Sequence, residues 1–274
     1  MPLALDHVTV AGRSLDLLSE AFESAGLPPT YGGTHSNRVT HMATLSLPDD
    51  IYVELVSTRE PGASSPWWDA SIRTDAGPCA WCVQVDDVAT AADRFAKRGI
   101  DVDGPHEFAR ERPDGTRLEW KLLYLGAGEP GSTLPFCIED TTPREWRVGK
   151  PETNLGVTGI ECVVLGVHNR DTVVSKLRDA FALSVPTQTK SARLGATVAH
   201  FPTAPVAVAE PAENGWLSTR LATVGESPCA YLFSSEADHP PQIQTDTMES
   251  WGDQTLSWIA PERIGGVQHL GVVE

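Results

Sequence analysis

Lysine is scarce in this 274-residue chain: five lysines stand against sixteen arginines, and the acidic residues bring the formal charge to −16. Such a surface repels nucleic-acid phosphates and anionic lipid headgroups, so neither nucleic acid nor a membrane is expected as a partner. An acidic, lysine-poor composition is similar to that of proteins from salt-accumulating organisms, where charge serves solubility. Long apolar runs are missing too. Nothing approaches the roughly 18 uninterrupted apolar residues of a membrane span. Asp6 and His7 interrupt the first apolar run and no basic region precedes it, so no signal peptide is expected and a cytoplasmic location is.

Nucleotide and hydrolase signatures are also absent. No GxGxxG or Walker pattern occurs, which leaves no expectation of a nucleotide cofactor, and no GxSxG supports a serine hydrolase. The Pro-Asp-Gly of RERPDGTR (residues 110–117) is a turn signal. Cysteines are few and odd in number, at 79, 82, 137, 162 and 229. Their strand-like apolar settings predict buried, reduced thiols. Cys79 and Cys82 form a CxxC without a second one to complete a zinc site, and strand alternation puts i and i+3 on opposite faces.

What is present is a long internal repeat. Met42–Glu54 lines up with Ala196–Val208 at an offset of 154, and the same offset puts LDHVTV (Leu5–Val10) on GIECVV (Gly159–Val164). GPCAW (Gly77–Trp81) recurs as SPCAY (Ser227–Tyr231), and GTRLEW (Gly115–Trp120) more loosely as DQTLSW (Asp253–Trp258). The period exceeds the roughly 20–50 residues of a solenoid unit. The chain is therefore two related halves.

Within the first half, Leu3–Gly12 reads as a strand and Ser14–Gly26 as a capped amphipathic helix. Thr40–Leu47 with Ile51–Ser57 reads as a hairpin, and GGTHSN (Gly32–Asn37) leads into it. A second unit follows: a strand from Cys79, a helix over Val88–Gly99, a hairpin over Phe108–Leu125 and a closing strand at Leu134–Asp140. The second half repeats this plan, with a helix over Arg170–Leu183, but no helix is evident after SPCAYLFSS, where EADHPPQ (residues 236–242) reads as loop. The expected fold is α+β, four tandem βαβββ-like modules in two halves. The expected boundaries are 1–145 (modules at about 3–57 and 77–140), a linker at 146–154, and a degenerate half at 155–274.

This order of LDHVTVAG, GGTHSNRVTHMATL, YVEL, the Trp67-Trp68 pair, GPCAWCVQVDD, RPDGTRLEW and LPFCIED resembles the vicinal-oxygen-chelate superfamily, and within it the glyoxalase-like group. The resemblance implies paired modules whose curled mixed and antiparallel sheets surround a pocket, in many members with a divalent metal. It places metal ligands at His7 and Glu54, with Glu139 on the paired module's last strand. The set suits zinc, manganese, iron or nickel. The paired module's usual histidine is missing, since Cys79 or Ala80 stands there. His35 and His41 are the spare candidates for ligation or proton transfer, beside Glu54 as a catalytic group. At the 154 offset His7 becomes Glu161 and Glu54 becomes Val208, which points to one working site in the first half. Trp67, Trp68, Trp81 and Trp120 are the expected contacts to a small-molecule ligand, although Trp81 and Trp120 also have aromatic counterparts in the second half and so fit a packing role. The resemblance further implies a homodimer, unless two halves in one chain serve the same end.

Two functions follow. One is a metal-assisted lyase or isomerase acting on a small carbonyl or vicinal-oxygen compound. The other is a metal-free, drug-sequestering type of binding protein in which His7 and Glu54 are a structural pair. A weaker third is an iron oxygenase using a His/Glu/Glu set.

Overall fold

The computed structural model describes residues 3–112, 114–151, 156–235, 243–265 and 269–274. The expected loop at 236–242, the turn proline Pro113 and linker residues 152–154 lie outside them. The first half runs β1 (Leu5–Ala11), α1 (Leu15–Ser24), β2 (Thr30–Thr34), β3 (Thr40–Ser46), β4 (Tyr52–Thr58), α2 (Asp69–Arg73), β5 (Gly77–Gln84), α3 (Val88–Lys97), β6 (Val102–Glu111), β7 (Arg117–Leu125) and β8 (Phe136–Asp140). After α4 (Arg144–Arg147) come β9 (Val157–Gly166), α5 (Arg170–Phe181), β10 (Thr187–Ser191), β11 (Ala196–His200) and β12 (Val206–Pro211). The chain ends with α6 (Trp216–Val224), β13 (Ser227–Ser235), β14 (Thr245–Trp251), β15 (Gln254–Ile259) and β16 (Leu270–Val273).

Each half forms one eight-stranded sheet, and the two share one strand order, β2-β3-β4-β1-β5-β8-β7-β6 and β10-β11-β12-β9-β13-β16-β15-β14. The inner strand β1 is parallel to β4 and antiparallel to β5, and β5 is parallel to β8. The second sheet repeats all three pairings. The fold is thus the α+β, duplicated βαβββ arrangement that the repeat predicts.

Three helices start where a side chain takes up a free amide: Ser14 accepts from Leu17 N, Asp87 from Thr90 N and Asn169 from Thr172 N. Their buried stripes, among them Phe22, Phe95 and Leu177, join one apolar layer that both halves build. Trp81 and Tyr231 occupy matching places in that layer, each fully buried. The Tyr231 hydroxyl lies 2.7 Å from the carbonyl oxygens of Thr9 and Ala80 and accepts from Cys79 N at 3.2 Å. The second half is thereby fastened to the back of β1 and β5.

Helices α2 and α6 occupy matching connections, between β4 and β5 and between β12 and β13. No helix is expected there from the sequence. Helix α6 forms because Leu217 and Leu221, one turn apart, both reach the apolar cluster of the second sheet. The expected linker is not a free tether either, since Arg147 and Val148 are buried.

All five cysteines are free and buried. Burial pushes the thiols of Cys79 and Cys82 well up. Opposite-face alternation fails for this pair. A register shift between Thr9 and Val10 bulges β5 at Cys79, and both cysteines join one apolar cluster.

Candidate active site

A second bulge builds the site. In β1, Leu5 pairs with Val83 but His7 with Cys82, so an extra residue stands between them. Leu5 and Val8 both face the inter-sheet core. Asp6 and His7 are consequently both turned to the other side of the sheet, where alternation alone would separate them. Asp6 Oδ1 lies 2.6 Å from His7 Nδ1, which leaves His7 Nε2 directed at Glu54, 4.0 Å away.

Glu54 stands opposite Thr9 in the parallel β1–β4 ladder, and the Thr9 hydroxyl donates to its Oε2 at 3.1 Å. Its Oε1 lies 3.0 Å from His35 Nε2. His35 comes from the turn between β2 and β3. That turn is shaped by Asn37, whose Oδ1 accepts from the amides of Val39 and Thr40. The other ring nitrogen of His35 is held 2.7 Å from Thr40 Oγ1. Two imidazoles, each anchored through Nδ1, therefore present Nε2 to one carboxylate. Burial alone would raise the Glu54 carboxyl, but the His35 hydrogen bond, the charges of His35 and His7 and the Thr9 hydroxyl outweigh it and bring it down to about 2.

Behind His7 lies a buried ion network. Arg147 makes paired contacts to Asp6 (2.8 and 2.9 Å) and to Asp140 (2.6 and 2.7 Å), and donates to the Tyr52 hydroxyl at 2.9 Å. Arg144 also bonds Asp6. Burial raises Asp6, yet Arg147 and His7 hold its carboxyl well below the usual range. Tyr52 stacks on the His7 ring at 4.7 Å. The chain of support runs from α4 through Asp6 to His7, and so fixes which nitrogen of His7 faces Glu54.

His7, His35, Tyr52, Glu54 and Arg147 line a cavity of about 80 Å³, against the roughly 10–15 Å³ one water needs on that measure. Its walls include Trp67, Trp68, Phe108, Trp120, Tyr124 and Phe136. Trp68 Nε1 donates to Pro130 O at 2.9 Å, and Trp67 packs edge-on to Phe108 at 5.8 Å. All lining residues come from the first half and α4. Glu54 is the one carboxylate among the described lining residues.

Of the residues singled out in the sequence, His7, His35, Glu54, Trp67, Trp68 and Trp120 thus meet at one cavity. Three do not. Trp81 points to the opposite face of β5 and packs between the sheets. Glu139 is one residue out of phase with Ile138, which lines the cavity. It instead binds Lys121 at 2.8 Å and accepts from Val88 N at the start of α3. His41 pairs with Ser57 and packs against Tyr31, away from the cavity. Burial lowers its pKa. Glu139→Gln is accordingly expected to cost about 1 kcal/mol of stability through the weakened helix start, with metal content unchanged. Thermal unfolding read beside elemental analysis checks this; metal loss would return Glu139 to the site.

Asp6, Arg110, Phe108, Tyr124 and Arg147 belong to the site without having been expected. Asp6, His7 and Cys82 bring ligand atoms within 4.8 Å of one another. Asp6 is already bound by two arginines, however, which occupies the carboxylate such a set would need.

A family profile for the glyoxalase-like domain matches residues 5–181, more than half of the chain and the whole of this site. The chain belongs to the glyoxalase-like domain family. No curated protein matches it in sequence. Among solved structures, a hypothetical protein from Staphylococcus aureus shares 14% identity at a TM-score of 0.65, covering 98% of both chains. A mutant of 4-hydroxymandelate synthase from Streptomyces coelicolor shares 10% at 0.62, covering 100% of this chain and 92% of that one. A xylose isomerase-like TIM barrel/4-hydroxyphenylpyruvate dioxygenase fusion protein shares 13% at 0.55, covering 100% and 48%. At these identities the likeness is one of fold alone.

In this glyoxalase-like chain the second half does not repeat the His7–Glu54 pair. The registers match Val8, Val53 and Trp81 with Val163, Val206 and Tyr231. His7 then corresponds to Cys162 and Glu54 to Ala207. The 154 offset, which points to Glu161 and Val208, slips by one residue in opposite directions on the two strands. Cys162 and Ala207 sit in an apolar cluster with Trp251 and Trp258, which fills the matching face. Close by, His269 is 4% exposed, packs 3.7 Å from the Trp216 ring, and is pulled down to about 3 by burial first and then by Arg193 and Arg220. Its folded pKa lies below its unfolded one, so the unfolded chain binds the extra proton and stability falls as pH drops from 6.5 towards 3. The slope approaches about 1.4 kcal/mol per unit near pH 5. Urea unfolding of His269→Leu is expected to show a flatter profile there, though not a flat one, because His41 and His200 are lowered too.

Proposed function

We propose that this cavity binds a divalent metal through His7, His35 and Glu54 and acts as a lyase or isomerase on a small carbonyl or vicinal-oxygen compound. The observation that carries the reading is the convergence of two Nδ1-anchored imidazoles on one ionised carboxylate at the floor of an aromatic cavity. Two histidines and one carboxylate are a donor set that suits zinc, iron or manganese and leaves positions open for substrate oxygens. Bound there, such an ion supplies a Lewis acid for a carbonyl oxygen. Glu54, the carboxylate facing the cavity, takes the proton from the carbon beside that carbonyl. A carboxyl held at about 2 is a weak base. The His35 hydrogen bond is the largest influence depressing it, and an ion polarising the carbonyl would acidify the neighbouring carbon and so lessen the basicity the step requires. Trp67 and Trp68 keep water from the reacting carbon.

The experiment is deuterium exchange, followed by NMR, at the carbon next to the carbonyl of small α-keto and α-hydroxy carbonyl compounds. It uses protein loaded in turn with zinc, manganese, iron and nickel. Exchange that vanishes in Glu54→Gln is the expected result. Absence of exchange with every metal and compound would sink the reading. Ligand binding without metal, seen by tryptophan fluorescence, would then favour the drug-sequestering alternative, to which the same aromatic walls are suited.

A further inference from the structure

Three arginines of the described residues are buried: Arg110, Arg147 and Arg220. Arg147 is satisfied by two carboxylates and a tyrosine hydroxyl. Arg220 is satisfied by the carbonyl oxygens of Ala76, Pro78 and Pro228 and by Ser227 Oγ. Arg110 differs. It is 7% exposed, bonds only the Gly32 carbonyl among the described residues, and has no carboxylate within ion-pair distance there. A guanidinium carries five N–H donors, and leaving it buried without an anion is costly.

Its position says where the anion belongs. Arg110 and Phe108, two residues apart on β6, both line the cavity that Glu54 also lines. Arg110 also lines two outer clefts beside the cavity in which basic residues outnumber acidic ones, with Arg112 and Lys150 against Asp114 in one and Arg38 and Arg117 against Glu111 in the other. In a chain of charge −16, a basic mouth around an aromatic cavity draws in anions. Tyr124, on the cavity wall, keeps a buried hydroxyl without a partner among the described residues.

We infer that the ligand of this cavity is a small aromatic or apolar carboxylic acid whose carboxylate pairs with Arg110. The inference deepens the proposed function and rests on its reading of the cavity as the substrate site, but not on the metal. Arg110 pairs with the carboxylate through parallel N–H···O bonds, while the ring lies among Trp67, Phe108 and Trp120. Burial lowers the Arg110 pKa first, and the charges of Tyr52 and Glu54, neither within ion-pair distance, only partly offset it.

The test is tryptophan-fluorescence titration with benzoate, its neutral isostere benzamide, and phenyl phosphate. It uses metal-loaded and chelator-stripped protein, in wild type, Arg110→Met and Arg110→Lys. Benzoate is expected to bind about 10- to 100-fold tighter than benzamide. That preference should survive metal removal, disappear in Arg110→Met and return in part in Arg110→Lys, with thermal unfolding confirming that the variants fold. Equal binding of benzoate and benzamide, or binding of neither at millimolar concentration, overturns the inference. So does tighter binding of phenyl phosphate, which would make the anion a phosphate. A preference lost on metal removal but intact in Arg110→Met also overturns it, placing the carboxylate on the metal and leaving the metal reading in force. A preference dependent on Arg110 in a protein that binds no metal supports the inference while the metal reading fails.

Discussion

Replacing His35 by alanine is expected to remove metal from the protein as fully as replacing His7 or Glu54. Three protein donors are the usual minimum for a catalytic site, and in the proposed site each of these residues would supply one. Losing one of three should weaken binding by more than 100-fold, beyond the 10- to 100-fold that outer supports command. Elemental analysis after dialysis against each metal gives the stoichiometry, and calorimetric titration gives the affinity. Cys82→Ser and His41→Ala serve as controls that should leave both unchanged. The informative failure is specific. Should His35→Ala keep one equivalent while His7→Ala and Cys82→Ser lose it, the ion sits among Asp6, His7 and Cys82. His35 would then be only a hydrogen-bond partner of Glu54.

The reason His35 outranks His41 was only half legible in the sequence. Both lie in GGTHSNRVTH, and nothing in their spacing separates them. What separates them is the turn. Asn37 caps two amides, Arg38 takes a left-handed backbone (φ 60°), and the His35 ring folds back onto Glu54. His41, already inside β3, follows strand alternation to the side away from the cavity, while its neighbour Met42 lines it. The second imidazole that the paired module lacks thus comes from within the same module. The module plan itself was readable, because a repeat needs only order and hydrophobic period. Side-chain direction was not, because it turns on register, and one residue reverses a face. Glu139 against Asp140 is such a slip: the latter holds Arg147, the former caps a helix. The bulge at Asp6-His7 is the converse case, in which two neighbours share a side. Phe108 with Arg110, and Trp120 with Leu122 and Tyr124, did carry a usable signal. Each set alternates along its strand onto one face of the hairpin.

Arg147→Met is expected to cost about 3–5 kcal/mol of stability, far more than an ordinary surface arginine would. The change removes the cation from two acidic groups and leaves Asp6, fully buried, with Arg144 and His7 alone. An uncompensated buried carboxylate either takes a proton or destabilises the fold. With a chain of this size, roughly 2–4 °C of melting temperature accompanies each kcal/mol, so a fall of at least about 6 °C is anticipated. The site should suffer beyond the stability loss, since Asp6 is what fixes His7 Nδ1. Metal affinity measured well below the new melting temperature is expected to drop about 10- to 100-fold. Adding Asp6→Asn to Arg147→Met removes one orphaned charge and should recover part of the melting temperature, but not the metal affinity. The asparagine amide cannot accept the His7 proton as an anion does. Recovery of both would make the network a matter of charge balance alone. A melting temperature unchanged by Arg147→Met would mean that Arg144 suffices, and that the burial of α4 against β1 contributes little to the site.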